Sequence, residues 1–212
     1  MLLCKYSRLG PAVFVPHLDT LRAVTMAIRR AGVEAEYSEG FNPHMKIFFG
    51  QPLPIGIESE CEYFCVYASC DPDTFVRKMN DTLPHGLTLL KASETQKDPN
   101  VADTMAFADY TVTFRTAQPN LKKAEAFVRE DDCTVTFTQK GVVKTQDVRE
   151  RIRAIKTADE RTLLYRLACG NVNLRADRLT ATLSERYGLG RSDIVKTHMY
   201  DCAGTDLDTL FF

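Results

Sequence analysis

Tyr37-Ser38-Glu39-Gly40-Phe41-Asn42-Pro43-His44 marks the point where a helical pattern gives way to an extended one. Gly40 permits positive φ, Asn42 bonds readily to its own backbone, and Pro43 drives Asn42 out of the helical region, so neither helix nor strand runs through the segment. Before it, residues 17–31 carry Leu18, Leu21, Thr25 and Ile28 on one stripe, with Asp19 in the first turn and Gly32 beyond the end, which predicts a helix. After it, Met45 to Gly50 reads as an apolar strand. A breaker-rich loop that also holds Tyr37, Phe41 and His44 is more than a connector, because rigid loops commonly present binding groups.

Upstream, Leu2 to Arg8 is strand-like and is closed by Gly10-Pro11. Downstream, Pro52-Leu53-Pro54-Ile55-Gly56 bends the chain before a strand from Cys61 to Ala68. Asp71-Pro72 caps a helix through Leu83, Pro84-His85-Gly86 stops it, and Leu87 to Ala92 closes the set. The order β-α-β-β-α-β is the split-βαβ or ferredoxin-like arrangement.

A first domain therefore spans residues 1–94, and the polar residues 95–107, with Lys97-Asp98-Pro99-Asn100, read as a linker. A related pattern fills residues 108–201. Tyr110 to Arg115 is a strand, and Asn120 caps a helix with Leu121, Ala124, Phe127 and Val128 on one side. Val135 to Thr138 and Val142-Val143 flank Lys140-Gly141 as a hairpin. Thr162 to Ala168 is a strand, Asn173 caps a helix from Leu174 to Tyr187, and Ile194 to Met199 is the last strand. The expected fold is α+β: two tandem ferredoxin-like (βαββαβ) domains, the second with an extra hairpin. Residues 202–212 form a C-terminal tail that frays or docks through Phe211 and Phe212.

The 212 residues are 44% hydrophobic and 26% charged, as in an ordinary globular protein, with a formal net charge of −1. That balance excludes a global basic field, so any RNA contact has to come from a local patch. No window approaches the roughly eighteen apolar residues that span a bilayer, and the start of the chain does not read as a secretion signal. A cytoplasmic protein without membrane contact is expected. The cysteines at 4, 61, 65, 70, 133, 169 and 202 are odd in number and scattered, which suits reduced thiols. Cys61, Cys65 and Cys70 lack the short gaps that bring thiolates onto one cluster, and strand residues 61 and 65 point the same way without converging. They read as packing residues, and no cofactor is expected.

Two readings stand for His17 and His44. With Asp19 and Glu39 they meet at one edge of the sheet as an acid–base pair or metal site, or each imidazole bonds loop backbone and fixes its shape. No tight two-histidine spacing supports a metal, and none is assigned. His85 and His198 read as surface or turn residues. Arg22, Arg29 and Arg30 lie on the polar side of the first helix, while Lys140, Lys144, Arg149, Arg151, Arg153 and Lys156 cluster in the second half. If residues 147–155 are strand, Arg149, Arg151 and Arg153 share one face; in a helical turn Arg149 and Arg153 do. Such a face suits phosphate, or is simply solvated beside Asp147, Glu150, Asp159 and Glu160. Tyr63 and Tyr67 either stack bases on an open sheet or pack between domains. There is no Walker loop, dinucleotide fingerprint or nucleophile elbow.

His17-Leu18-Asp19 with Arg22, the 37–44 loop, and Pro52-Leu53-Pro54-Ile55-Gly56-Ile57-Glu58-Ser59 with Glu62 together resemble the radical-SAM-linked protein family, a bacterial domain of unknown function. The similarity extends through Lys144, Asp147 and Arg149 to Asn173-Leu174-Arg175, with departures at Pro16, Met45 and Glu150. The resemblance implies a companion of a radical S-adenosylmethionine protein, and the family's genomic association implies RNA, RNA modification or a ribosome-associated component. It supplies no catalytic residues. The leading expectation is an accessory module that recognises RNA or a ribonucleoprotein for such a partner. Its binding residues would be Arg22, Tyr37, Ser38, Gly40, Phe41, Asn42 and His44, with Arg149, Arg151 and Arg153 on phosphates. One alternative is an enzyme acting on RNA or a nucleotide, with His17, His44 and Asp19 as candidate catalytic residues. The other is a protein-binding scaffold, which the low net charge favours.

Overall fold

Alternation along Leu2–Arg8, the first strand β1, puts Leu2, Cys4 and Tyr6 on one face and Leu3, Lys5 and Ser7 on the other. The computed structural model of the chain describes residues 1–97, 99–116 and 119–212. It divides into two units, Met1–Thr104 with Thr205–Phe212, and Met105–Gly204. Asp98, in the segment expected as a linker, lies outside the described residues.

The first unit runs β1, α1 (His17–Arg30), β2 (Ile47–Phe49), β3 (Glu58–Val66), α2 (Pro72–Asn80), β4 (Leu87–Glu94) and the single turn α3 (Val101–Thr104). The second begins with β5 (Phe107–Phe114), α4 (Leu121–Ala126) and the hairpin β6 (Thr134–Gln139) and β7 (Val142–Asp147). It continues with β8 (Ile152–Thr157), β9 (Thr162–Ala168), α5 (Ala176–Tyr187) and β10 (Ser192–Tyr200). A last helix, α6 (Leu207–Phe211), belongs to the first unit again. Among the described residues no helix is long and apolar enough to cross a membrane.

The first unit's strands lie in the order β4-β1-β3-β2 with antiparallel neighbours. Helices α1 and α2 pack on the face of Leu2, Cys4 and Tyr6, and Val24, Ile28, Phe64, Phe75, Met79 and Leu89 complete the core. Helix α2 starts where expected, because Asp71 accepts a 2.9 Å bond from the Thr74 N–H and Pro72 supplies the first helical residue. The stripe on α1 is rotated from the expected one. Thr20, Val24, Ala27 and Ile28 are buried, whereas Leu18 is 66% exposed. Both stripes follow the helical period, and the small Ala27 and Thr20 are the residues that let the helix lie close to the sheet. Gly86 cannot be replaced: its φ is +91°, and a Cβ would sit 2.5 Å from the Leu9 carbonyl oxygen.

Arg8 ends β1 and is only 2% exposed. Its guanidinium donates to the carbonyls of Val15, Pro54 and Ile57, tying the lead-in to α1 to the Pro-Leu-Pro-Ile-Gly bend. Burial pulls its pKa down, and the nearby Glu62 and Tyr6 oppose that.

The other face of this sheet is covered by the C-terminal segment, which does not fray. Leu207 is fully buried, and Asp208 pairs with Lys5 at 2.7 Å and accepts a 2.8 Å bond from the Tyr63 hydroxyl. Phe211 meets the Tyr63 ring edge-on at 5.9 Å. Tyr63, a candidate base-stacking residue, therefore lies under α6.

In the second unit the order is β10-β5-β9-β8, again antiparallel, with β6 and β7 paired separately. Leu121, Ala124, Leu179 and Leu183 of α4 and α5 are buried with Val112, Phe114, Leu163 and Leu167 of the strands. Neither expected asparagine cap operates. Asn120 stands before α4 without a side-chain bond, and α5 starts three residues after Asn173, behind Arg175. Residues 149–151 form a 3-10 turn and β8 follows, so Arg149 and Arg153 do not share one strand or one turn.

Burial opposes ionisation of Asp208, but the bonds from Lys5 and Tyr63 outweigh it and hold the carboxyl below its usual range. The folded value thus lies below the unfolded one near 4, so the contribution is fully present above pH ~4 and is lost as pH falls through the folded value. Asp208→Asn should lower unfolding free energy by about 1–2 kcal/mol at pH 7 in urea titrations and flatten the acid-side decline.

Candidate functional site

The 37–44 loop closes on its own backbone. Tyr37 and Met45 form an antiparallel bridge, Ser38 N–H donates to the His44 carbonyl at 2.7 Å, and His44 N–H donates to Ser38 Oγ at 3.0 Å. Gly40 at the tip has φ +111°, which a side chain rarely tolerates. Phe41, Asn42, Pro43 and His44 are exposed, Phe41 completely. Arg29 fastens the loop to α1: its Nε donates to the Tyr37 hydroxyl at 3.1 Å and its guanidinium lies 5.7 Å from the ring centre.

That anchor is at the last turn of α1, and His17 is at the first. Twelve residue steps of helix separate Arg29 from His17, about 18 Å along the axis. His17 packs edge-on against Phe49 at 5.7 Å, at the end of β2 away from the loop. Burial lowers its pKa, with Arg8 adding to the effect and Glu62 opposing it. Asp19 pairs with Arg22 at 2.8 Å, a solvated pair of the kind that contributes little. Among the described residues no hydrogen bond, ring contact or ion pair joins His17 to His44, and no group of three or more His, Cys, Asp or Glu side chains is gathered as metal ligands. Among the described residues no contact joins these groups into the expected pocket, and Arg29 fastens the loop at the other end of the helix from His17.

Arg149 is also committed elsewhere. Its guanidinium donates to the carbonyls of Val128, Glu130 and Asp131, satisfying the end of the 3-10 turn after α4. Arg151 is half-buried in its own turn. Of the three arginines expected on phosphate, Arg153 stands on β8 with an exposed side chain over the Phe107 ring, 4.6 Å from its centre.

Arg153 borders a concave site that sequence reasoning missed, on the sheet face of the second unit away from α4 and α5. The cavity is about 740 Å³, and its polar and aromatic lining includes Phe107, Asp109, Arg153, Lys156, Arg166 and His198. Pairing sets them in rows across the strands: His198 opposite Asp109, Asp109 opposite Arg166, and Arg166 opposite Ala154. Asp109 receives two bonds of 2.7 Å from Arg166 and one of 2.9 Å from the Tyr200 hydroxyl. The Arg166 guanidinium lies over Tyr200, 4.3 Å from the ring centre, and His198 stacks on the same tyrosine at 6.3 Å and 24°. Hydrogen bonding to Asp109 chiefly raises the Arg166 pKa, so the guanidinium stays charged. The signal for this face was alternation in Phe107–Thr111 and Leu164–Arg166; reading Thr162 to Ala168 as a plain strand overlooked it.

The chain belongs to a bacterial family described as an uncharacterized protein conserved in bacteria (DUF2344), matched over residues 2–176. That description names no radical enzyme. No curated protein matches the chain in sequence. Among solved structures, a Cbf5-Nop10-Gar1 complex is similar at 12% identity over 93% of this chain and 48% of that chain, with a TM-score of 0.47. An archaeal box H/ACA sRNP Nop10-Cbf5 complex is similar at 13% identity over 94% and 48%, with a TM-score of 0.46. The chain spans about half the length of the solved chains it matches.

Arg149→Ala should destabilise the protein by about 2–3 kcal/mol, because three carbonyls lose their donor, whereas Arg151→Ala should cost under about 0.5 kcal/mol. Equal shifts in urea midpoint for the two variants would contradict the structural role of Arg149.

Proposed function

We propose that the protein is an accessory module that recognises RNA for a radical S-adenosylmethionine partner, with the groove of the second unit as its RNA site. The carrying observation is the juxtaposition of exposed cations with ring and guanidinium planes on one open sheet face. Arg153 and Lys156 make no ion pair among the described residues, and both are exposed. Phe107 and the Arg166 guanidinium, which is backed by the Tyr200 ring, offer surfaces beside them. Cations neutralise phosphates, and aromatic and guanidinium planes stack on bases, so the combination suits RNA better than an acidic peptide. A net charge of −1 over the whole chain keeps that attraction local.

In this reading both units are ferredoxin-like, supported by their shared strand order in which the fourth strand neighbours the first and the third neighbours the second. The partner is inferred from the resemblance of the 17–22, 37–44 and 52–62 motifs. The exposed loop residues Gly40, Phe41, Asn42 and His44, with Tyr37, Ser38, His17, Asp19 and Arg22, are then a surface for partner or substrate rather than a joined catalytic centre.

Arg153→Ala combined with Lys156→Ala should weaken RNA binding by about ten-fold at moderate salt and reduce its salt dependence. Fluorescence anisotropy with a labelled RNA pool measures both. Unchanged affinity in a folded double variant would remove the groove from the RNA site.

A further inference from the structure

We infer that this groove takes single-stranded RNA in one orientation, with the sugar-phosphate chain along β8 and the bases laid across β9 and β5 toward β10. The inference rests on the RNA reading above and adds the strandedness of the ligand and the role of each strand.

The cations and the rings are borne by different strands. Arg153 and Lys156 are both on β8, the outer strand of the β10-β5-β9-β8 order. Phe107 on β5 and Tyr200 on β10 stand directly opposite each other in the pairing. Two to three strand spacings, about 10–14 Å, separate the backbone of β8 from those of β5 and β10, and the Arg153 side chain reaches back across that span to lie 4.6 Å from the Phe107 ring centre. That span matches the reach of a nucleotide from its phosphate to the outer edge of its base.

Arg166, between the two groups, serves differently from Arg153. Asp109 holds it through both carboxylate oxygens, at 2.7 Å each, and fixes its plane against Tyr200. Its charge is answered within the protein, so it is a stacking platform with little attraction left for phosphate. Arg153 rests on the Phe107 ring without an acid partner among the described residues. An incoming base takes its place on that ring, and the released guanidinium turns to the phosphate.

A duplex offers these rings nothing, because its base faces are already stacked on one another, and its phosphates alone reach only β8. The cavity, at about 740 Å³, holds a short stretch of strand.

The test uses the full chain and three labelled oligonucleotides of one length: a single-stranded RNA, the same RNA annealed to its complement, and an abasic strand with the same phosphates. Anisotropy titrations should give affinity for the single strand about ten-fold or more above that for the other two. Phe107→Leu and Tyr200→Leu should erase that advantage and leave abasic binding unchanged, while Tyr200→Phe, which keeps the ring, should retain most of it. Arg153→Gln with Lys156→Gln should instead lower affinity for both single strands and reduce the slope of log affinity against log salt by about 1.4. Circular dichroism and urea midpoints establish that each variant is folded. Equal affinity for duplex and single strand, or for abasic and normal strand, overturns the orientation while leaving RNA binding intact. Failure of all three oligonucleotides to bind overturns the RNA reading itself.

Discussion

One buried guanidinium, that of Arg8, sets the geometry of the first unit. It sits at the end of β1 and is reached by three carbonyls from two separate loops, Val15 on one side and Pro54 and Ile57 on the other. Both terminal nitrogens are directed at these carbonyls, Nε has no hydrogen-bond partner among the described residues, and Glu62, 4% exposed, is the acid close by that such a buried charge requires. Ser59, opposite Arg8 in the strand pairing, holds Glu62 through a 2.6 Å bond. The start of α1, the proline-rich bend and the first residues of β3 are thereby located by one side chain. The half-buried position of His17 follows from this arrangement.

Much of the fold was written in local signals, because each element in the first ninety residues is bounded by a residue with its own reason to stop the chain. Pro11, Gly32, Pro43, Gly56, Asp71 and Gly86 mark ends that the structure keeps to within a few residues. The inserted hairpin was visible from Lys140-Gly141, both at positive φ. What could not be read was long-range: which of two stripes on α1 faces the sheet, where Arg149 finds its acceptors eighteen to twenty-one residues away, and where Asp208 finds Lys5. The separate anchoring of His17 and His44 has the same origin. His17 and His44 stood near each other in the motif pattern, but Arg29 directs the loop to the opposite end of the helix. The groove residues were hidden in unremarkable strands, since cross-strand neighbours such as Asp109 and Arg166 are 57 positions apart.

The two units reach the same order of strands and leave their second faces in opposite conditions. In the first, Lys5 and Tyr63 are engaged by α6. In the second, the corresponding side of the sheet keeps Thr111, Arg166 and His198 partly or fully exposed, together with its cavity. The first sheet is covered on both faces, and the second presents planar and charged groups on an open one. The difference comes from one short helix, not from the strands.

Because α6 belongs to the first unit, that unit is interrupted by the whole of the second. During synthesis Tyr63 is made 145 residues before the Asp208 that accepts its hydroxyl. The N-terminal sheet therefore emerges from the ribosome with Leu3, Lys5 and Tyr63 uncovered on one side, and it stays so until residues 205–212 have been made. Such a nascent intermediate is an open apolar surface of the kind that chaperones hold, and its closing step is the docking of eight residues.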